Sequence, residues 1–212
     1  MKLIDKHVAF SRSGEEMPAL LVIFTVASVA LMLFGTWPSA VQASFQAAST
    51  DNSVLRGTPD TITPKSQRTA APDFTLAEAN GKPITLSALK GRVVLLDFWA
   101  TWCGGCKIEI PWYIEFDKKY SDQGLAVLGV SMDKDGWTSV KPFLAKKKDD
   151  ETGNNIDMQY PIVIGTDDIA RQYNLKTLPV TLLIDRDGKI AIAHTGLVDK
   201  DDFENNIRSL LK

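Results

Sequence analysis

The chain has 212 residues, 44% hydrophobic and 24% charged, with 24 Lys+Arg against 26 Asp+Glu. A formal charge of -2 offers no basic excess to displace phosphate counterions, so no nucleic-acid partner is expected, nor a highly charged disordered chain. Two cysteines and two histidines are too few for a disulfide-dense scaffold and leave few ligands for a Cys/His zinc site. Both cysteines fall in Cys103-Gly104-Gly105-Cys106, so all thiol redox chemistry is confined to that one turn.

From Met17 to Trp37 the chain reads MPALLVIFTVASVALMLFGTW without a charge, and about 20 apolar residues suffice to cross a bilayer core. We read residues 1–16 as a cytoplasmic segment and 17–37 as an uncleaved transmembrane anchor. A cleaved signal peptide is the alternative, with Val41-Gln42-Ala43 offering small residues at a peptidase's spacing. Against it, Lys2, Lys6 and Arg12 are balanced by Asp5, Glu15 and Glu16, whereas the leading region of a signal is short and positive. A buried helix of a soluble core is disfavoured because the run has no polar face. Three Lys/Arg residues precede the run and none follows before Arg56. The positive-inside rule therefore puts the rest of the chain on the periplasmic or extracytoplasmic side of a bacterial cytoplasmic membrane, with a single pass. Residues 38–69, rich in Ser, Thr, Ala, Gln, Asn and Pro, read as a flexible linker with a mean reach of about 30 Å.

Residues 70–212 are enough for one core. Phe74-Thr75-Leu76 and Ile84-Thr85-Leu86 alternate around Asn80-Gly81 and suggest an N-terminal hairpin. Val93 to Trp99 is nearly continuous apolar sequence, the mark of a central strand covered on both faces. After the cysteines, Ile108, Trp112, Phe116 and Tyr120 at steps of four predict a helix ending near Gln123-Gly124, followed by a strand from Leu125 to Met132. A helix over about 138–147 comes next, then a polar insertion over 148–159. Lys146-Lys147-Lys148 and Asp149-Asp150-Glu151 read as its solvated flank. A short strand at 162–164 and a short helix at 168–173 follow. Strands at 180–184 and 189–195 then flank the hairpin turn Asp185-Arg186-Asp187-Gly188, and an amphipathic helix carrying Phe203, Ile207, Leu210 and Leu211 closes the chain. The order gives an α/β sheet with helices on both faces and an antiparallel edge.

Cys-x-x-Cys at a strand–helix junction has a mechanical meaning. Cys103 sits where the helix begins, and the unpaired N–H groups and positive dipole end there favour its thiolate, the attacking species in disulfide exchange. Cys106, one turn on, can attack a mixed disulfide at Cys103 and release the partner. The pattern predicts an exposed nucleophile and a partly buried resolving thiol. A permanent structural disulfide and half of a zinc site are the competing readings. The first would close too short a loop to remove much chain entropy, and the second lacks another Cys/His pair.

Trp99-Ala100-Thr101-Trp102-Cys103-Gly104-Gly105-Cys106 after VVLLDF resembles the thioredoxin-fold active site. The wider frame, Ala71-Pro72-Asp73-Phe74 with Gly81, Leu86, Leu89 and Gly91, resembles the TlpA/ResA-like branch of membrane-tethered thiol–disulfide oxidoreductases. The resemblance covers 70–212 and implies a thioredoxin fold with an added N-terminal β-hairpin and a central insertion. It further implies a cis-proline at Pro179, in Thr177-Leu178-Pro179, beside the nucleophile. With Trp102 and Leu178, Pro179 would frame the substrate-docking surface. Glu109 matches the acidic residue of Cys-x-x-Cys-x-x-Glu-x-Pro, which the family associates with proton handling. Asp97 matches the buried aspartate of classical thioredoxins, where many tethered relatives carry Asn. The chain would then combine two carboxyl groups around one dithiol. It departs from the tethered relatives in having glycine at both positions between the cysteines, which predicts a more mobile loop. His194 falls in a strand pattern and reads as a packing or surface residue.

The expectation is a thiol:disulfide oxidoreductase that needs no cofactor and no metal. The resemblance implies disulfide-containing exported proteins as partners, reduction in cytochrome c maturation or a similar assembly, and a membrane thiol carrier as reductant. Two alternatives stand beside it. The APDFTL opening also resembles peroxiredoxins, although their Pro-x-x-x-Thr/Ser-x-x-Cys setting is not met here. A Cu(I)-binding metallochaperone could use the two thiolates as ligands, but no histidine lies nearby in the sequence.

Overall fold

The computed structural model describes residues 61–212. The cytoplasmic segment, the anchor and the linker as far as residue 60 lie outside them. Among the described residues no helix is long and apolar enough to cross a membrane.

The hairpin forms as expected from β1 (Thr75–Ala77) and β2 (Pro83–Thr85), with Thr75 opposite Thr85 and Leu76 opposite Ile84. Its turn runs through Gly81 at φ 82°, a conformation that favours glycine. β3 (Val93–Trp99) is buried at every residue. α1 (Gly104–Tyr120) leads to β4 (Leu125–Ser131), and α2 (Trp137–Leu144) to β5 (Ile162–Ile164). α3 (Asp167–Gln172), β6 (Val180–Ile184), β7 (Ile190–Thr195) and α4 (Lys200–Leu211) complete the domain.

The main sheet has the order β5-β4-β3-β6-β7. β3 pairs in parallel with β4, and β4 with β5, while β6 and β7 run antiparallel. Alternation along β3 divides the core. Leu95 and Trp99 face Tyr113 and Phe116 of α1, Phe143 of α2 and Phe203 of α4. Leu96 and Phe98 face Phe74, Leu86 and Ile169, and the Tyr173 ring lies 4.8 Å from that of Phe98. With about 1.5–3 kcal/mol for each large side chain fully buried, these two layers hold the sheet between the helices and the hairpin.

Three expectations need correction. The end of the expected linker is part of the domain. Ile62 packs on the core, Thr63 N–H donates to Ala191 O at 2.9 Å, and Arg68 pairs with the Asp185 carboxylate at 2.8 Å. The Asp185 turn needs a cation there, so residues 62–69 are drawn along β7.

The buried stripe of α1 is also different. Ile108 is 39% exposed and Trp112 is half-buried, whereas Cys106, Glu109, Ile110, Tyr113, Phe116 and Tyr120 face inward. Cys106 points at the sheet, and spacings of three and four from it select that set.

The polar insertion, finally, is not merely a solvated flank. Asp149 is buried and pairs with Lys107 of α1 at 3.2 Å, while exposed Glu151 takes the same ammonium at 2.9 Å. Ile156 is fully buried in the core, so the segment folds back over α1.

Candidate active site

Cys103 is the N-cap of α1, and its backbone is still extended (φ -83°, ψ 106°). Gly104 begins the helix, leaving the first-turn N–H groups without intrahelical partners. One of them, on Cys106, donates to Cys103 Sγ at 3.2 Å. The two cysteines are joined in a disulfide with a Cα–Cα distance of 5.3 Å. Cys103 retains 5% exposure and Cys106 1%. The expected contrast between an exposed and a buried sulfur is therefore one of degree, because Pro179 and Leu197 close over the turn. A Cβ placed on Gly105 would stand 3.1 Å from Pro179 Cδ and 3.7 Å from Leu197 Cδ2. Glycine at 105 thus permits close packing against the opposing loop, where the sequence predicted only mobility. Gly104 faces open space.

The loop before Cys103 is fixed by a residue that sequence reasoning missed. Asp133, just after β4, is buried and accepts from Thr101 N–H (2.9 Å), Thr101 Oγ1 (2.6 Å) and Ser131 Oγ (2.8 Å). That clamp presents Trp102 outward, 69% exposed, beside the cysteines. Leu178-Pro179 is a cis peptide. Pro179 is buried and Leu178 half-buried, and Pro179 O accepts from Gly196 N–H at 2.9 Å. Trp102, Met132, Lys134, Leu175, Thr177 and Leu178 line a cavity of about 430 Å³. Of the three residues expected to frame docking, Trp102 and Leu178 line this cavity, and Pro179 follows Leu178 through the cis bond, outside the lining.

Behind the dithiol the structure assembles polar groups in an apolar layer. Asp97 shares a strand face with Leu95 and Trp99, so its carboxyl enters the core that holds Cys106. It is 1% exposed, and its Oδ1 has no hydrogen-bond partner among the described residues. Burial first, and then the nearby Glu109 carboxylate, push its pKa well above the ordinary carboxylate range. Gly129 lies opposite Asp97 on β4. Trp99 Nε1 and Tyr160 Cε2 would be 3.1 and 3.4 Å from any Cβ there.

Glu109 is fully buried. Its Oε1 accepts the Val198 N–H at 2.8 Å, and its Oε2 has no partner among the described residues. Burial lifts this carboxyl to about 7, against the opposing effects of the Val198 N–H, the Tyr113 hydroxyl and His194. The Tyr113 hydroxyl shares a hydrogen bond of 2.8 Å with Thr181 Oγ1, and Thr181 stands opposite Asp97 on β6. Tyr113 and Thr181 escaped sequence reasoning because each reads as an ordinary strand or helix residue. The spacing Cys106, Glu109, Tyr113 could have pointed to Tyr113.

In chemical terms the arrangement offers a sulfur at a helix N-terminus, a second sulfur one turn inward and two carboxyl groups behind them. Among the described residues no group of three or more His, Cys, Asp or Glu is arranged to hold a metal ion.

Residues 68–193 match the AhpC/TSA family. The thiol-disulfide oxidoreductase ResA of Geobacillus kaustophilus is 35% identical over 141 residues, covering 66% of this chain and 75% of that protein. The thioredoxin-like protein YneN of Bacillus subtilis is 34% identical over 137 residues, covering 65% and 76%. Among solved structures, a Chlorobium tepidum chain assigned as the thiol:disulfide interchange protein DsbE superposes with a TM-score of 0.60 at 32% identity. That match covers 68% of this chain and 97% of the other.

Proposed function

Because this chain belongs to the AhpC/TSA family, and within it to the ResA-like thiol-disulfide oxidoreductases, we propose that it reduces disulfides in exported proteins through Cys103 and Cys106. The observation that carries this reading is the placement of Cys103 Sγ at the mouth of α1, beside exposed Trp102, with Cys106 one turn deeper. In the dithiol form, the Cys106 N–H and the helix dipole stabilise a Cys103 thiolate. That thiolate attacks one sulfur of the partner's disulfide and forms a mixed disulfide. The partner's other sulfur leaves as a thiolate and takes a proton from water. The Cys106 thiol gives its proton to the Asp97/Glu109 pair and attacks Cys103 Sγ. The Cys103–Cys106 bond forms and the partner's remaining sulfur is released, so two electrons have moved from dithiol to partner.

The carboxyl pair suits this step because two buried, mutually repelling acids hold one proton between them near neutrality and can accept a second. Trp102, Leu178 and Pro179 present the docking rim. A membrane thiol carrier returns the electrons, the 17–37 anchor holds the domain on the outer face of the cytoplasmic membrane, and the partners are thiol proteins of cytochrome c maturation or a similar assembly. An insulin-reduction assay tests the central step. Cys103→Ser abolishes turnover, and Cys106→Ser accumulates the mixed disulfide. Turnover by Cys103→Ser at the wild-type rate would sink the scheme.

A further inference from the structure

The proton that Cys106 surrenders must leave a pocket whose acids do not touch water. Asp97, Glu109, Tyr113 and Thr181 are 1%, 0%, 0% and 0% exposed. The strand register supplies a direction. Asp97 on β3 lies opposite Thr181 on β6, and Thr181 lies opposite His194 on β7. Opposed residues share a sheet face, so a carboxyl, a hydroxyl and an imidazole form one row across the sheet, running from the core outward to half-buried His194. α1 lays Glu109 and Tyr113 over that row. Tyr113 bonds to Thr181, and Glu109 lies near enough to feel the charge of His194.

We propose that His194 is the port through which the Asp97/Glu109 pair exchanges its proton with water. The proposal rests on the dithiol reading above. The bonding of the imidazole fits the task. Its Nε2 lies 3.0 Å from Leu197 O, and a carbonyl only accepts, so Nε2 carries the hydrogen and Nδ1 is the basic nitrogen. A proton received at Nδ1 from the pair makes an imidazolium, which returns to the same tautomer by releasing the Nδ1 proton to water while Nε2–H stays on Leu197 O, and reduction of the disulfide runs the path in reverse. No electrons move in this step.

The groups facing the pair from the surrounding elements are Tyr113 of α1, Thr181 of β6, His194 of β7, the Val198 N–H and Tyr160, between the insertion and β5. The alternative way out runs through Tyr160 toward Asp117, but the Tyr160 hydroxyl is buried and has no hydrogen-bond partner among the described residues. The His194 row has in addition the Tyr113–Thr181 bond and a half-buried end.

His194 is thus a positioning and proton-transfer residue that never meets substrate. The test is single-turnover oxidation of the full-length dithiol protein by insulin, followed by tryptophan fluorescence from about pH 6 to about pH 9. His194→Ala slows the resolving step by about a hundredfold, the low end of what positioned proton transfer contributes. Added imidazole restores the rate in a concentration-dependent way. His194→Gln retains a donor for Leu197 O but cannot relay a proton, and is slowed equally, which separates transfer from loop support. Unchanged rates in both variants, or slowing that imidazole leaves untouched, would overturn the port. Wild-type protein that fails to react with insulin would instead overturn the underlying dithiol reading.

Discussion

Glu109 Oε1 accepts the Val198 N–H across 89 positions of sequence, at 2.8 Å. This bond ties the helix that carries both cysteines to the segment joining β7 and α4, and it binds the most consequential acid of the site to a backbone donor. Because the carboxyl titrates near 7 when folded and near 4.5 when free, its sign in stability is fixed. A raised acid favours the folded state fully below about pH 4.5, and that contribution is lost as pH rises through about 7. The loss amounts to about 3 kcal/mol. Glu109→Gln keeps an acceptor for Val198 but does not ionise. Urea unfolding of the disulfide form from pH 4.5 to 8 therefore gives wild-type stability that declines relative to the variant. Parallel profiles would refute the assignment.

Asp97→Asn separates stability from catalysis. The carboxyl is buried with one oxygen unpartnered, and an amide at that site carries no charge to desolvate. The variant is more stable than wild type at pH 8 by about 1–3 kcal/mol, while its resolving step slows by about a hundredfold. Thermal melts and single-turnover exchange on the same preparation check both halves. A variant that is destabilised but fully active contradicts this reading of the acid.

The two glycines between the cysteines are predicted to behave differently. Gly104 meets open space, so Gly104→Ala gains up to about 1 kcal/mol of helix propensity and leaves exchange with insulin unchanged. A Cβ on Gly105 stands 3.1 Å from Pro179 Cδ, so Gly105→Ala pushes the docking loop outward. That raises KM for insulin several-fold with a smaller effect on kcat. Equal behaviour of the two variants in a steady-state assay would show that the contact with Pro179 does not matter.

Lys107→Met leaves the Asp149 carboxylate buried without its cation, although Asp149 keeps the Thr152 N–H and hydroxyl as donors. The expected cost is about 2–3 kcal/mol, below that of a wholly unsupported buried charge. Faster amide exchange over 148–159 accompanies it. Glu151→Gln removes only a 76% exposed partner and costs less than about 1 kcal/mol. Comparable losses in the two variants would place the weight on Glu151 instead.

The strands were legible in the sequence because β3, β4 and β6 carry nearly continuous apolar runs, and such runs need cover on both faces. The Cys103–Cys106 turn was legible because both thiols of the chain occur there. The face of α1 was not, since Lys107 and Glu109 are polar residues that the fold buries, so an apolar pattern shifted toward Ile108 and Trp112 looked better than the real one. Asp149 hid in the same way, inside a charge run whose other members are exposed. The row from Asp97 through Thr181 to His194 depends on the register of three strands separated by up to 97 positions, and no local pattern encodes a register between distant strands.

Gly196 N–H donates to Pro179 O, and two residues on, Val198 N–H holds Glu109. The strip that holds Pro179 is therefore also the strip that lowers the proton affinity of Glu109, against the larger and opposite effect of burial. If partners dock on Leu178 and Pro179 as proposed, a load on that loop reaches the bond on Glu109 through two residues of backbone. Substitutions that broaden the range of partners will, by the same linkage, move the pH at which the dithiol works best.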